Sequence, residues 1–162
     1  MTTNDWKKNR IVSCLNNTNP TMVMQLKSGF VVMCDQQFFP GYCLLIAYPQ
    51  TKDLNDLPIQ EKSQFLLDMA LVGEAIKEVC SPSRINYAIL MNKDPFLHVH
   101  ITPRYDWESE EYKYAPIWKY PKPTLLSIEF EEKKHSVIKN GIKEYLKRNE
   151  DSAPLSTFIN WT

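Results

Sequence analysis

The sequence predicts an α+β fold, a five-stranded, mostly antiparallel sheet with a main helix on one face and a C-terminal helix. Two patterns carry the prediction. Short apolar runs rich in Val, Ile, Met and aromatic residues are separated by turn-forming residues such as Ser28-Gly29 and Pro40-Gly41. One long stretch repeats its apolar residues with helical period instead.

Residues 4–17 read as a short helix carrying Trp6, Ile11 and Leu15, followed by a loop of turn formers, Asn16-Asn-Thr-Asn-Pro20. Thr21–Lys27 and Phe30–Asp35 read as strands around a hairpin turn, and Tyr42–Ala47 as a third strand after Pro40-Gly41. In the main helix, Phe65, Met69, Val72, Ile76 and Val79 recur at spacings of four, three, four and three. Pro58 fits its start and Ser81-Pro82 its end, while Gly73 suggests a close approach by another element. Residues 85–91 and 96–102 are the last two predicted strands. Beyond Tyr105 an extended, aromatic and proline-rich arm is expected, then a helix near 131–148 with Ile138, Ile142 and Tyr145 on one side. No internal repeat or low-complexity linker divides the chain. We expect a single domain over 1–162, with its core at about 20–105 and the arm and last helix within 106–150.

The 162 residues are enough to bury a core, and 43% hydrophobic with 23% charged content is ordinary for a globular chain. Nineteen Lys and Arg balance 19 Asp and Glu, which argues against a nonspecific nucleic-acid or acidic-membrane binder. Met1–Arg10 lacks an apolar signal core, and no apolar run nears the about 20 residues that a membrane span needs. Cys14, Cys34, Cys43 and Cys80 form no CxxC pair. Free thiols and a cytoplasmic location are the expectation.

The most informative run is Phe96-Leu-His98-Val-His100-Ile-Thr-Pro103-Arg104. Strand side chains alternate faces, so His98, His100 and Phe96 share one face while Val99 and Ile101 point to a core. Pro103 has no N–H to donate and is expected to stop the ladder. Three readings fit two neighbouring histidines: satisfied core residues, part of an HxH metal site, or catalysis. Zinc takes three or four protein ligands as a rule, and no second His, Cys or Asp cluster here has matching spacing. No metal is therefore expected.

This run resembles the motif of the histidine triad (HIT) family of nucleotide hydrolases and transferases, in which three histidines alternate with apolar residues and Pro-Arg often follows. Phe96 stands where the first histidine would be, and His98 and His100 match the second and third. Asp35-Gln-Gln-Phe-Phe-Pro40-Gly41-Tyr-Cys-Leu-Leu-Ile46 is similar to the family's nucleoside-binding strand, Pro-Gly turn and following strand. Asn86–Asn92 is similar to the strand leading to the catalytic one. The resemblance spans roughly residues 20–105 and is closest to bacterial-type members.

The resemblance implies a HIT-like fold and a covalent mechanism. His98 would attack the α-phosphorus of a nucleotide, since a neutral imidazole is a competent nucleophile near pH 7. His100 would hydrogen-bond phosphate oxygens, and His rather than Gln at that position favours hydrolysis over transfer. Asp35 would accept from the ribose hydroxyls, with Phe30, Val32 and Ile46 as candidates for the base pocket. Asn92 and Lys93 are candidates for phosphate contact, beside the plainer reading of a turn. Arg104 either reaches phosphate or braces the strand end through a carboxylate. Phe96 would pack behind His98 in place of the family's supporting histidine.

The activity implied is diadenosine polyphosphate hydrolase-like, on a nucleoside-5′-phosphoryl bond of a dinucleoside polyphosphate, a phosphoramidate or an adenylylated compound. No cofactor is implied, although a polyphosphate substrate can carry Mg²⁺. A homodimer is the usual family assembly, with no nucleic acid or membrane as partner. The alternative is a nucleotide-binding regulatory protein with little turnover, favoured by Phe96 and by Met91, where relatives often carry Gly. Reuse of the fold as a scaffold without nucleotide is a third reading.

Overall fold

A computed structural model describes residues 5–151. A 3-10 turn at Asp5–Lys7 leads into α1 (Arg10–Leu15), which Asn9 caps by accepting from the Val12 amide at 3.0 Å. The helix predicted over 4–17 thus appears as two short pieces; its residue 4 lies outside the described residues. The strands follow as β1 (Met22–Leu26), β2 (Gly29–Met33), β3 (Cys43–Ala47), β4 (Arg84–Ala88) and β5 (His98–Arg104), with α2 (Ile59–Cys80) between β3 and β4. They form one sheet in the order β1-β2-β3-β5-β4, and each neighbouring pair is antiparallel.

One sheet face is apolar and covered. Val31, Met33, Leu45, Val99 and Ile101 pack under Phe65, Val72 and Ile76 of α2 and under Ile142 and Leu146 of α5 (Glu132–Asn149). Burial of these aliphatic and aromatic side chains, each contributing about 1.5–3 kcal/mol when fully enclosed, is the main stabilising term. Helix α2 begins after Pro58 and ends at Ser81, which adopts a left-handed φ of 48°. Its buried Asp68 accepts from both the amide and hydroxyl of Ser28, at 2.9 and 2.6 Å, and so ties the β1–β2 turn to the helix. Gly73 faces the Tyr87 hydroxyl so closely that no β-carbon would fit between them.

Two expectations need correction. Strand β5 runs through Pro103, which pairs with Ile85 of β4. Pairing with β3 ends at Ile101, so from there β5 has a neighbour on one side only, where a missing N–H is tolerated. The arm after Tyr105 is folded rather than extended. It contains α3 (Glu110–Lys113), a 3-10 turn at Ile117–Lys119 and α4 (Lys122–Leu125). It folds because it wraps the Arg104 guanidinium, which collects the carbonyls of Tyr112, Lys113 and Ala115.

Candidate active site

The sheet face turned away from α2 and α5 carries the histidines, and α1 packs on part of it. His98 lies opposite Ile46 and His100 opposite Leu44 on β3, and residues directly opposite in a ladder share a face. The two rings lie 5.1 Å apart, centroid to centroid. His98 is buried, with only 6% of its surface exposed. Its Nδ1 is 2.8 Å from the Phe96 carbonyl oxygen. A carbonyl can only accept, so Nδ1 carries the proton and Nε2 keeps its lone pair. His100 Nδ1 is 2.6 Å from the Tyr42 hydroxyl. Burial lowers the His100 pKa to about 4; neighbouring His98 adds to the fall and Asp94 opposes it. His100 is therefore neutral at ordinary pH.

Phe96 is half-buried, and its ring centroid is 5.2 Å from that of His98. It packs with Ile11 of α1, Leu44 and Tyr48 around a small cluster of Cys14, Phe30, Val32 and Ile46. The residue thus serves His98 twice, by ring contact and, through its backbone, by fixing the imidazole tautomer.

A cavity of about 260 Å³ opens beside the two histidines, lined by Val32, Asp35, Leu44, Ile46, Phe96, His98 and His100 together with Arg10, Cys34, Gln36 and Asp94. Of the three apolar candidates, Val32 and Ile46 line it, whereas Phe30 is buried and packs on Tyr48. Asp35 also lines it, with both carboxylate oxygens engaged by Arg10 at 2.8 and 2.6 Å. Hydrogen bonding to Asp35 raises the Arg10 pKa against the opposing effect of burial. Asn92 and Lys93 are exposed in the turn before β5 and do not line this cavity; Asp94 does. The turn starts at Met91, whose φ of 51° lies in the left-handed region that favours glycine.

Arg104 borders a larger cavity, and its donors are engaged by protein groups. Its Nε and Nη2 donate to the Glu108 carboxylate at 2.9 and 2.7 Å, and Nη1 donates to Asn86 Oδ1 and the Ala115 carbonyl. With the Tyr112 carbonyl as a further acceptor from Nη2, all five N–H groups are used. Of its two open roles, bracing is the one its partners describe. Tyr120 completes the network by donating to Glu108.

A second cavity, about 610 Å³, lies on the β4 side of His100. Ala88, Asn86 and Arg84 of β4 stand opposite His100, Thr102 and Arg104, and the arm supplies Lys113, Tyr114, Ile117 and Trp118 as the other wall. Trp107 stacks on Tyr105 and Phe39 and lies outside both cavities. The third histidine, His135, accepts from the Glu131 amide at the start of α5.

Sequence reading missed Arg10, Tyr42 and Asp94. Arg10 is 25 residues from Asp35 and carries no local signal. Tyr42 could have been found by asking what faces His100 from the turn that leads into β3.

The four cysteines are free. Among the described residues no group of three His, Cys, Asp or Glu is placed to hold a metal ion, and no helix is long and apolar enough to cross a membrane.

An antiparallel five-stranded sheet with a histidine pair on the face opposite its main helix defines the class of protein. The HIT domain family model matches residues 16–107, and the chain belongs to that family. Among solved structures, a histidine triad protein from Marinobacter aquaeolei is similar at a TM-score of 0.68 and 18% identity, over 86% of this chain and 93% of that one. One from Sinorhizobium meliloti gives 0.67 and 20%, over 77% and 88%. The diadenosine triphosphate hydrolase of Plasmodium falciparum gives 0.57 and 17%, over 82% and 80%. No curated protein sequence matches.

Proposed function

We propose that the chain is a hydrolase of nucleoside-5′-phosphoryl bonds that works through a nucleotidyl-His98 intermediate. The observation that carries this is the His98 tautomer, with Nδ1–H held by the Phe96 carbonyl and Nε2 left as a nucleophile beside a cavity. Nε2 attacks the α-phosphorus and forms a P–N bond. The bond to the leaving group breaks, and its electron pair departs with that group. Positive charge developing on the imidazole is stabilised at Nδ1–H by the same carbonyl. Water then attacks the phosphorus and gives up a proton to solvent, the P–N bond breaks, and the electron pair returns to Nε2.

The smaller cavity suits the nucleoside, with Asp35 accepting from ribose hydroxyls and Val32, Leu44 and Ile46 against the base. The larger cavity, across His100, suits the leaving group. Its size is within the roughly 300–1,000 Å³ usual for small-molecule sites. A polyphosphate substrate would bring any Mg²⁺ as part of itself. A homodimer paired along β4, a terminal strand of the sheet, fits the fold.

A second reading, nucleotide binding with little turnover, is favoured by Asp94, whose carboxylate in the same cavity would repel an α-phosphate. Stereochemistry tests the mechanism. Hydrolysis of a substrate chiral at the α-phosphorothioate should proceed with net retention, because two displacements each invert. Net inversion would mean direct attack by water, and no hydrolysis of any nucleotide would leave the binding reading.

A further inference from the structure

His98 and His100 differ in how their Nδ1 atoms are held, and the difference has a chemical consequence. His98 Nδ1 meets a carbonyl, so its proton position is dictated. His100 Nδ1 meets a phenol hydroxyl at 2.6 Å, a group able to donate or accept. Which it does decides what His100 Nε2 offers a phosphate.

We propose that Tyr42 is a positioning residue that donates its hydroxyl proton to His100 Nδ1 and so holds the neutral ring in the Nε2–H tautomer. The two neighbouring imidazoles then present opposite functions to one phosphoryl group: a lone pair from His98 and a proton from His100. The functional part of this inference rests on the proposed hydrolase reading; the tautomer assignment does not.

Protonation states allow this direction of the bond, and the turn before β3 fixes the contact that carries it. Tyr42 is buried, and burial, reinforced by nearby Cys34, moves its pKa well above the ordinary phenol value although Thr102 opposes the change. Tyr42 therefore keeps its proton throughout the working pH range. His100 stays neutral over the same range, so one ring nitrogen keeps a lone pair, and Nδ1 is the one that faces a protonated phenol at 2.6 Å. The phenol is also rigidly placed. Gly41, at φ 88°, makes the turn that delivers Tyr42 to the start of β3. Buried Gln37 pins that turn by accepting from the Gly41 amide at 3.1 Å and donating to the Tyr42 carbonyl at 2.9 Å. A device built this way sets a tautomer without adding charge beside the phosphate.

The titratable surroundings can be told apart. His100 is faced by His98 on its own strand, by Asp94 from the preceding turn and by Tyr42. Tyr42 is faced by Cys34, whose thiol burial pushes up to about 11, and by Thr102 on β5. A change at high pH in the wild-type protein would thus belong to Cys34, and a substitution that acidifies the phenol alone separates the two.

Nitrogen-15 NMR of the histidine rings in the free protein is the test, because it reads tautomers without needing turnover. We expect Nδ1–H for His98 and Nε2–H for His100, and a mixture at His100 in Tyr42→Phe. With a hydrolysable nucleotide, Tyr42→Phe should lower kcat by roughly tenfold with little change in KM. Replacing Tyr42 by 3,5-difluorotyrosine, a more acidic phenol, should introduce a fall in kcat at alkaline pH that the wild-type protein, whose phenol stays protonated, does not show. A phenolate can only accept, so it forces the proton onto Nδ1 and leaves Nε2 bare. His100 found as Nδ1–H in the wild-type protein, or unchanged in Tyr42→Phe, overturns the assignment. A kcat profile that 3,5-difluorotyrosine leaves unchanged, with the assignment intact, refutes the catalytic consequence. Absence of turnover on every nucleotide would refute the hydrolase reading and the catalytic consequence, while the NMR result still decides the tautomer.

Discussion

Arg104→Leu separates the two roles that the sequence allows that residue. In the structure its side chain is 4% exposed and that of its partner Glu108 is 0% exposed. The substitution removes five N–H donors and leaves a buried carboxylate without its counter-charge. Breaking a buried ion pair from one side costs about 3–5 kcal/mol. For a chain of this length, each kcal/mol moves Tm by about 2–4 °C, so a fall of roughly 10 °C is expected. The carbonyls of Tyr112, Lys113 and Ala115 lose their donor as well, so the arm should loosen first and show faster amide exchange. Urea denaturation of Arg104→Leu, Glu108→Leu and the double variant forms a cycle, and the double variant should be more stable than the sum of the single losses implies. KM for a nucleotide should change far less than stability does. An Arg104→Leu protein with unchanged stability and a strongly raised KM would refute the bracing role.

Phe96→Ala should lower stability by about 2 kcal/mol, less than the 3–5 of a fully buried ring; because the carbonyl that holds His98 belongs to the backbone, kcat should stay within a few-fold. Phe96→His should retain hydrolysis; an inactive Phe96→His beside a fully stable, active Phe96→Ala would mean the pocket needs an apolar wall for another ligand. Asp35→Ala should weaken AMP binding by about 1–3 kcal/mol, the usual loss for a hydrogen bond to a charged group, and Arg10→Ala should weaken it by less. Titration calorimetry decides, and tighter binding in Arg10→Ala would show that Arg10 competes with ribose. Glu108 gives the pH dependence. Burial alone would raise its pKa, but hydrogen bonds from Arg104, Tyr120 and the Tyr105 amide hold it below the ordinary value. A group with a lowered folded pKa adds stability that is full above the unfolded pKa and lost as pH falls through the folded one. Stability should therefore decline below about pH 4.5, the ordinary carboxyl value, and Glu108→Gln should flatten that decline.

What the sequence made legible was local or periodic. The Phe65–Val79 spacing gave α2 with both its ends, and strand alternation put His98 and His100 on one face. Asp35, at the end of an apolar run, lines the smaller cavity. What it hid depends on contacts across the fold. The ion pair of Arg10 with Asp35 joins α1 to the chain beyond β2. The arm looked extended because its Pro and aromatic content has no period; its turns depend on the buried Arg104 and on Tyr112, Ile117, Tyr120 and Leu125 packing around Phe39. Asn92 and Lys93 have chemistry suited to phosphate, but the bend before β5 exposes them and turns Asp94 to the cavity instead.

The central claim is a covalent bond at His98, and the most direct measurement is rapid-quench mass spectrometry of the intact protein during a single turnover. The protein should gain one nucleotidyl group, mapped to His98 by peptide fragmentation at neutral or basic pH where phosphoramidates survive. His98→Ala should gain none and lose several decades of turnover while still binding nucleotide. Sustained hydrolysis by His98→Ala, or a nucleotidyl group on another residue, would contradict the account.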